Sequence, residues 1–235
     1  FQEVGEPVIE WITTGFNCCV FAFGQTGSGK THSMMGNITG SPHAYGLTPR
    51  ICFALFESLS AQARNPAAGS SNTDSFVTFS HMEIYNEQIN DLLSEDPATG
   101  QNLPIKKDDP DKGAIIGNLT EVSVTSTAEA LEAMERGNSA RQTASTQMNA
   151  RSSRSHTVFR IVIESVASRE RVERENKIIK EFNNMQENGG EEEFHSFGSS
   201  GYEPEKSYCF LTLVDLAGSE RQKNTKATGK TLKEG

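Results

Sequence analysis

Gly24-Gln25-Thr26-Gly27-Ser28-Gly29-Lys30-Thr31 is the stretch on which the reading of this chain turns. Gly24, Gly29, Lys30 and Thr31 occupy the fixed positions of the G-x-x-x-x-G-K-[ST] pattern. Glycines let a backbone wrap closely around a phosphate chain, with successive N–H groups turned inward as an anion nest. Lys30 then supplies a cation for the β- and γ-phosphates, and the Thr31 hydroxyl offers a ligand to Mg²⁺. The apolar run at 18–23 (CCVFAF) feeds directly into Gly24 and reads as a buried strand. Strand, glycine-rich loop and Lys-Thr together predict a phosphate-binding loop.

Two later segments fit the same chemistry. The apolar run at 208–214 (YCFLTLV) ends on Asp215-Leu216-Ala217-Gly218. An acid at the end of such a strand can hold the water shell of a metal, and Gly218 can offer its N–H to a γ-phosphate. Upstream stands Asn149-Ala150-Arg151-Ser152-Ser153-Arg154-Ser155-His156, just before a predicted strand at 157–166. Its hydroxyls suit a metal or an attacking water, and Arg154 offers a forked donor to a carboxylate. Taken alone, this segment reads equally as a polar loop capping a strand.

In this order, GQTGSGKT, N-x-x-S-S-R-S-H and D-L-A-G-S-E resemble the phosphate loop, switch I and switch II of the kinesin motor family. HMEIYNEQINDLL at 81–93 and GNLTEVSVTS at 117–126 extend the resemblance over nearly the whole chain. An N-K-x-D guanine reader is absent: Asn176-Lys177 runs on into Ile178-Ile179-Lys180. The resemblance implies a microtubule-based motor that binds and hydrolyses Mg-ATP in the cytoplasm, on the cytoskeleton. A non-motor module that holds nucleotide or tubulin without turnover is the alternative.

By that resemblance, nucleotide is held by Gly24, Gln25, Thr26, Gly27, Ser28, Gly29, Lys30 and Thr31, with His32 beside the adenine. Mg²⁺ falls to Thr31, Ser153 and Asp215. The catalytic set is Lys30, Ser152, Ser153, Arg154, Gly218 and Glu220. Within it, Ser152 lies by the γ-phosphate, and Arg154 pairs with Glu220 to close the site. On its own, His32 also reads as an ordinary helix-surface residue.

The resemblance further implies a strand and an R-x-R-P-type segment before Phe1, and microtubule-contacting helices after Gly235. Residues 1–235 are therefore expected to be part of one motor domain, with an exposed sheet edge. The segment 168–206 departs from the family, which has a shorter hairpin loop there. It holds six Lys/Arg and ten Glu, and its second half is rich in Gly, Ser and Asn. It is expected to be a surface insertion, disordered toward its end.

A net charge of −9 argues against nucleic acid as a partner. It also sits awkwardly with an acidic microtubule, until its distribution is considered. Residues 221–235 carry five basic side chains against Glu234 alone, a local balance of +4. Lys106, Lys107 and Lys112 form a second candidate contact, interleaved with acids as in a solvated turn. The longest apolar run is far short of a membrane span. The four cysteines lack C-x-x-C spacing and read as reduced thiols, mostly in the core.

The expected fold is α/β: a central parallel or mixed sheet with helices on both faces. Strands are predicted at 18–23, 76–85, 157–166 and 207–214, with two short ones near 103–106 and 114–116. Pro7 and Pro49 are expected to open helices, the first closed by Gly15. Ser126-Thr127-Ala128-Glu129 reads as a capping box for a helix that buries Leu131 and Met134 and ends at Gly137.

Overall fold

The computed structural model describes residues 1–64, 73–109, 113–146, 153–167, 177 and 206–220. Six strands form one mixed sheet: β1 (Cys18–Ala22), β2 (Thr73–Tyr85), β3 (Gln88–Asp91), β6 (Val122–Val124), β7 (His156–Ala167) and β8 (Lys206–Asp215). Their order is β1-β8-β7-β2-β3, with β6 also paired to β2. Strands β4 (Ile105–Asp109) and β5 (Gly113–Ile116) make a separate ribbon. The four predicted main strands and the short pair are all present, but β1, expected to be buried, is the last strand in the order and leaves Cys19 and Phe21 exposed. The sheet is mixed, one of the two arrangements expected, and among the described strands only β1 and β8 run parallel.

That one parallel pair positions the site. It sets Ala22 beside Asp215, so the chain leaves β1 toward Gly24 where β8 ends. Antiparallel β7 starts at the same end, with Thr157 opposite Asp215. Three motifs scattered along the sequence therefore emerge at one sheet edge, where ligands of α/β proteins commonly bind.

Strand periodicity sorts the side chains. Val77 and Phe79 on β2, Phe159, Ile161 and Ile163 on β7, and Leu211 and Leu213 on β8 are buried in one layer. Helices α1 (Gly5–Thr13), α3 (Leu47–Arg64) and α4 (Thr127–Thr146) cover it with Val8, Ile12, Ile51, Leu55, Ala130 and Met134. Each large apolar side chain buried this way contributes about 1.5–3 kcal/mol. Phe79 and Phe159 meet edge to face at 5.0 Å. These three helices share one face of the sheet. On the other face Met82 packs with Ile89 and Leu103, against Ile116 of the β4–β5 ribbon. The same alternation corrects the cysteine reading. Cys52 and Cys209 are buried, but Cys19 falls on the outer phase of β1 and is exposed, and all four thiols are free.

Both proline-marked helices begin two residues before the proline, at Gly5 and Leu47. Pro7 and Pro49 thus sit third in their helices, still within the first turn, where an N–H has no acceptor inside the helix. Gly15 follows the end of α1 with φ 101°, as a helix-terminating glycine should. The capping box is present. Ser126 Oγ accepts the Glu129 N–H at 3.3 Å, while Glu129 accepts the Thr125 N–H at 2.7 Å.

Gly137 is a correction. The helix α4 continues through it to Thr146. The glycine is buried against the sheet, and a Cβ there would overlap the His81 ring. Close packing accounts for this glycine, and Leu131, expected in the core, is only half-buried. Short strands β3 and β6 escaped the sequence reading. Asn86 and Glu87 both take positive φ (49° and 61°) in the two-residue turn that folds β3 back onto β2. Of the segment 168–206, only Lys177 and Lys206 are among the described residues. Residues 221–235 and Lys112 also lie outside them.

Candidate nucleotide site

The loop after β1 is shaped by its glycines. Gly27 and Gly29 adopt φ 79° and 89°, a left-handed backbone that other residues enter only with strain. The chain then enters the short helix α2 (Lys30–Met34), where the Ser33 N–H reaches the Gly29 carbonyl at 2.8 Å. Lys30 arches back over the loop. Its Nζ donates to the carbonyls of Gly24 at 2.9 Å and Gln25 at 3.0 Å, which places the ammonium at the mouth of the nest.

Around this loop lies a cavity of about 300 Å³, lined by Thr26, Gly27, Gly29, Lys30, Thr31, His32, Ser153, Asp215, Leu216 and Gly218. Thr31 Oγ1 donates to Asp215 Oδ2 at 2.5 Å, so the two proposed metal-site residues from loop and strand are in contact. The other carboxylate oxygen, Oδ1, is buried and makes no hydrogen bond among the described residues. A hydroxyl and a carboxylate with an unused buried oxygen suit a hard, oxygen-seeking cation.

The segment after β8 is stitched to its neighbours by backbone. Leu216 N–H reaches Ala22 O at 3.2 Å, Gly218 N–H reaches Ser153 O at 2.9 Å, and Ser219 N–H reaches Gly24 O at 3.0 Å. Ala217 N–H donates to His156 Nδ1 at 3.1 Å. Glu220 then folds over the loop: Oε2 accepts the Thr26 N–H at 3.0 Å, and Oε1 accepts the Thr26 hydroxyl. The Thr26 hydroxyl is the main reason this carboxylate sits below the ordinary range, with backbone donors and the Lys30 charge adding to it. Gly218 lies directly beneath, where any side chain would collide with Glu220 and Thr26.

Of the residues singled out from sequence, the cavity thus gathers Thr26, Gly27, Gly29, Lys30 and Thr31 of the loop with His32, Ser153, Asp215 and Gly218, while Gly24, Gln25 and Ser28 do not line it and Glu220 lies against Thr26. His32 is exposed on α2 and also lines a neighbouring cavity of about 310 Å³ with His43, Tyr45 and Arg50. In this conformation the Glu220 carboxylate is held by Thr26, and the ion pairs among the described residues do not join it to Arg154. Ser152 lies outside the described residues.

Sequence reading missed the layer beneath the site. Arg141 of α4 lies 3.5 Å from Asp215 Oδ2 and 3.8 Å from Glu83 Oε1. One signal was available. Val77, Phe79, His81 and Glu83 share the inward phase of β2, and a charged residue on that phase requires a partner.

Comparison with known proteins agrees with this architecture. A family model described as Kinesin motor domain matches residues 1–235. The chain is 37% identical over 238 residues to Kinesin-like protein KIN-12E of Arabidopsis thaliana, covering all of this chain and 16% of that protein. It is 36% identical over 235 residues to Kinesin-like protein unc-104 of Caenorhabditis elegans, covering all of this chain and 12% of that protein. A solved structure described as "Structure of a fast kinesin: Implications for ATPase mechanism and interactions with microtubules" superposes with a TM-score of 0.70 at 35% identity, over 97% of this chain and 52% of that one. The chain therefore spans a small part of these relatives and about half of the solved one. With a phosphate loop, an acid-ended strand and a switch-like segment at one sheet edge, and a family match over its full length, this chain belongs to the kinesin motor domain family.

Proposed function

We propose that this chain is the nucleotide-handling part of a motor domain that hydrolyses Mg-ATP and couples hydrolysis to microtubule binding. The observation that carries the reading is the contact between Thr31 and Asp215 at the rim of the phosphate loop. Thr31, Asp215 and Ser153 would hold Mg²⁺, which when bound neutralises phosphate charge. The loop N–H groups and Lys30 would bind the phosphate chain, and His32, exposed between the two cavities, would face the base. Gly218 and Ser153, joined here by the Gly218 N–H to Ser153 carbonyl hydrogen bond, would sense the γ-phosphate by exchanging that contact for it, with Ser152 and Arg154 completing the switch. Glu220, clasping Thr26, links the segment after β8 to the loop. A change at the phosphate can thereby be passed to 221–235, the basic stretch suited to an acidic tubulin surface.

Residues 1–235 are read as part of one motor domain, located with microtubules, and 168–206 as its surface insertion. Among the described residues no helix is long and apolar enough to cross a membrane. The test is nucleotide turnover by the full-length protein. ATP hydrolysis that requires Mg²⁺ and rises with microtubules supports the reading. Nucleotide binding without turnover would place the protein in the non-motor class.

A further inference from the structure

Two Ser/Thr-Pro dipeptides occur in the chain, Ser41-Pro42 and Thr48-Pro49. The fold treats them oppositely. Thr48 is the second residue of α3 and only 1% exposed, so no enzyme can reach its hydroxyl. Ser41 is exposed, and its backbone is extended (φ −64°, ψ 147°), as suits a residue ahead of proline. Its side chain caps no backbone N–H. The 3₁₀ turn that follows, Pro42–Ala44, rests on two backbone bonds: Ala44 N–H to Ser41 O at 2.8 Å and Tyr45 N–H to Pro42 O at 3.2 Å. Little structure therefore has to open for this segment to lie extended in the active site of another enzyme.

The same loop walls the cavity of about 310 Å³ that His32 also lines. Arg50 fastens the wall, with Nε donating to Tyr45 O at 2.9 Å and Nη2 to His43 O at 3.1 Å. Both acceptors are neutral carbonyls. Among the described residues the cavity lining holds His32, His43 and Arg50 and no acid. A phosphate on Ser41, two residues from His43, would bring about two negative charges and three strong acceptor oxygens. A guanidinium binds such a group more strongly than it binds a carbonyl.

We propose that Ser41 is a phosphorylation site for a proline-directed kinase, and that its phosphate draws Arg50 off the His43 and Tyr45 carbonyls, loosens the wall beside His32 and speeds nucleotide release. In the kinase, Ser41 Oγ attacks the γ-phosphorus of ATP, its proton passes to the kinase's base, and the bond to the departing ADP breaks. The effect on release rests on the nucleotide reading above; the site itself does not.

The test takes the full-length protein and its Ser41→Ala variant through treatment with a cyclin-dependent kinase and ATP. Phosphopeptides are mapped by mass spectrometry, and release of a bound fluorescent ADP analogue is timed before and after treatment. Ser41 should carry phosphate in most molecules, and Thr48 in none. Treated protein should release the analogue about fivefold faster, the weight of about one hydrogen bond in the wall. Ser41→Ala should start at the untreated rate and stay there. Arg50→Gln should release faster from the outset and gain nothing from treatment, because the phosphate acts through that side chain. Absence of phosphate on Ser41, or equal labelling of Thr48, would overturn the site. Full modification of Ser41 with unchanged or slower release would overturn the link to Arg50, as would acceleration that persists in Ser41→Ala. Failure of the untreated protein to bind the analogue would instead remove the nucleotide reading, and the mapped phosphate alone would then decide the site.

Discussion

Thr31 and Asp215, 184 residues apart in sequence, share a 2.5 Å hydrogen bond at the point where the phosphate loop meets the end of β8. The contact follows from sheet geometry. Parallel pairing of β1 and β8 puts Ala22 level with Asp215, and the loop returns the chain over that level at Thr31. Any change in where β8 ends relative to β1 would separate the Thr31 hydroxyl from the Asp215 carboxylate.

Lys30→Ala removes the ammonium that bridges the Gly24 and Gln25 carbonyls and that the proposed function assigns to the phosphates. Turnover should fall about a thousandfold or more, since this cation acts on the charge of the transferred group. Nucleotide affinity should weaken as well, which equilibrium binding would register. Turnover at the unsubstituted rate would remove Lys30 from the mechanism.

Glu220→Ala frees Thr26 from its carboxylate clasp. The nucleotide keeps its loop and its lysine, so affinity should change only a few-fold. Turnover should drop about a hundredfold, because the switch segment is no longer anchored to the loop. Equal losses in both quantities would make Glu220 a general support of the fold.

Gly137→Ala tests the packing of α4. The added methyl has no room beside the His81 ring, so helix or strand must shift. Overpacking of this kind costs about 1–3 kcal/mol. Denaturant melting should show that loss, despite the higher helix propensity of alanine. A neutral or stabilising outcome would mean that α4 rides higher on the sheet than described.

His81 is fully enclosed, and burial, with the Arg141 charge adding to it, pushes its pKa down to about 3. The folded protein keeps the ring neutral while the unfolded chain binds a proton below about pH 6.5. This contribution is therefore complete above that pH and is lost progressively as pH falls toward 3. Between pH 6.5 and 5 it amounts to about 2 kcal/mol. His81→Leu should flatten the stability profile over that window by a similar amount. An unchanged slope would show that the ring finds its proton in the folded state.

The elements that sequence made legible are those whose signals are local. CCVFAF followed by glycines, the alternation along β2 and β7, and the Ser126–Glu129 box each declare themselves within a few residues. What escaped was set by tertiary partners. Gly137 has the sequence signature of a helix end, but its missing side chain serves contact with His81, four strands' worth of chain away. β3 has only four residues, and its turn is made by Asn86 and Glu87 rather than by glycine. Arg141 lies beyond the point where the helix was expected to stop, so its reach to Asp215 could not be read. At the site, the motifs named the loop residues and Asp215. The Thr26–Glu220 clasp required the fold, because it depends on how two chain exits cross at one edge.

The central claim is that this site turns over Mg-ATP in step with microtubule engagement. The most direct measurement is steady-state ATP hydrolysis by the full-length protein, with Mg²⁺ present, across a microtubule titration, beside the Lys30→Ala variant. The account predicts a low basal rate that climbs severalfold or more to saturation with microtubules and disappears in the variant. A rate that ignores microtubules, or that survives loss of Lys30, would contradict it.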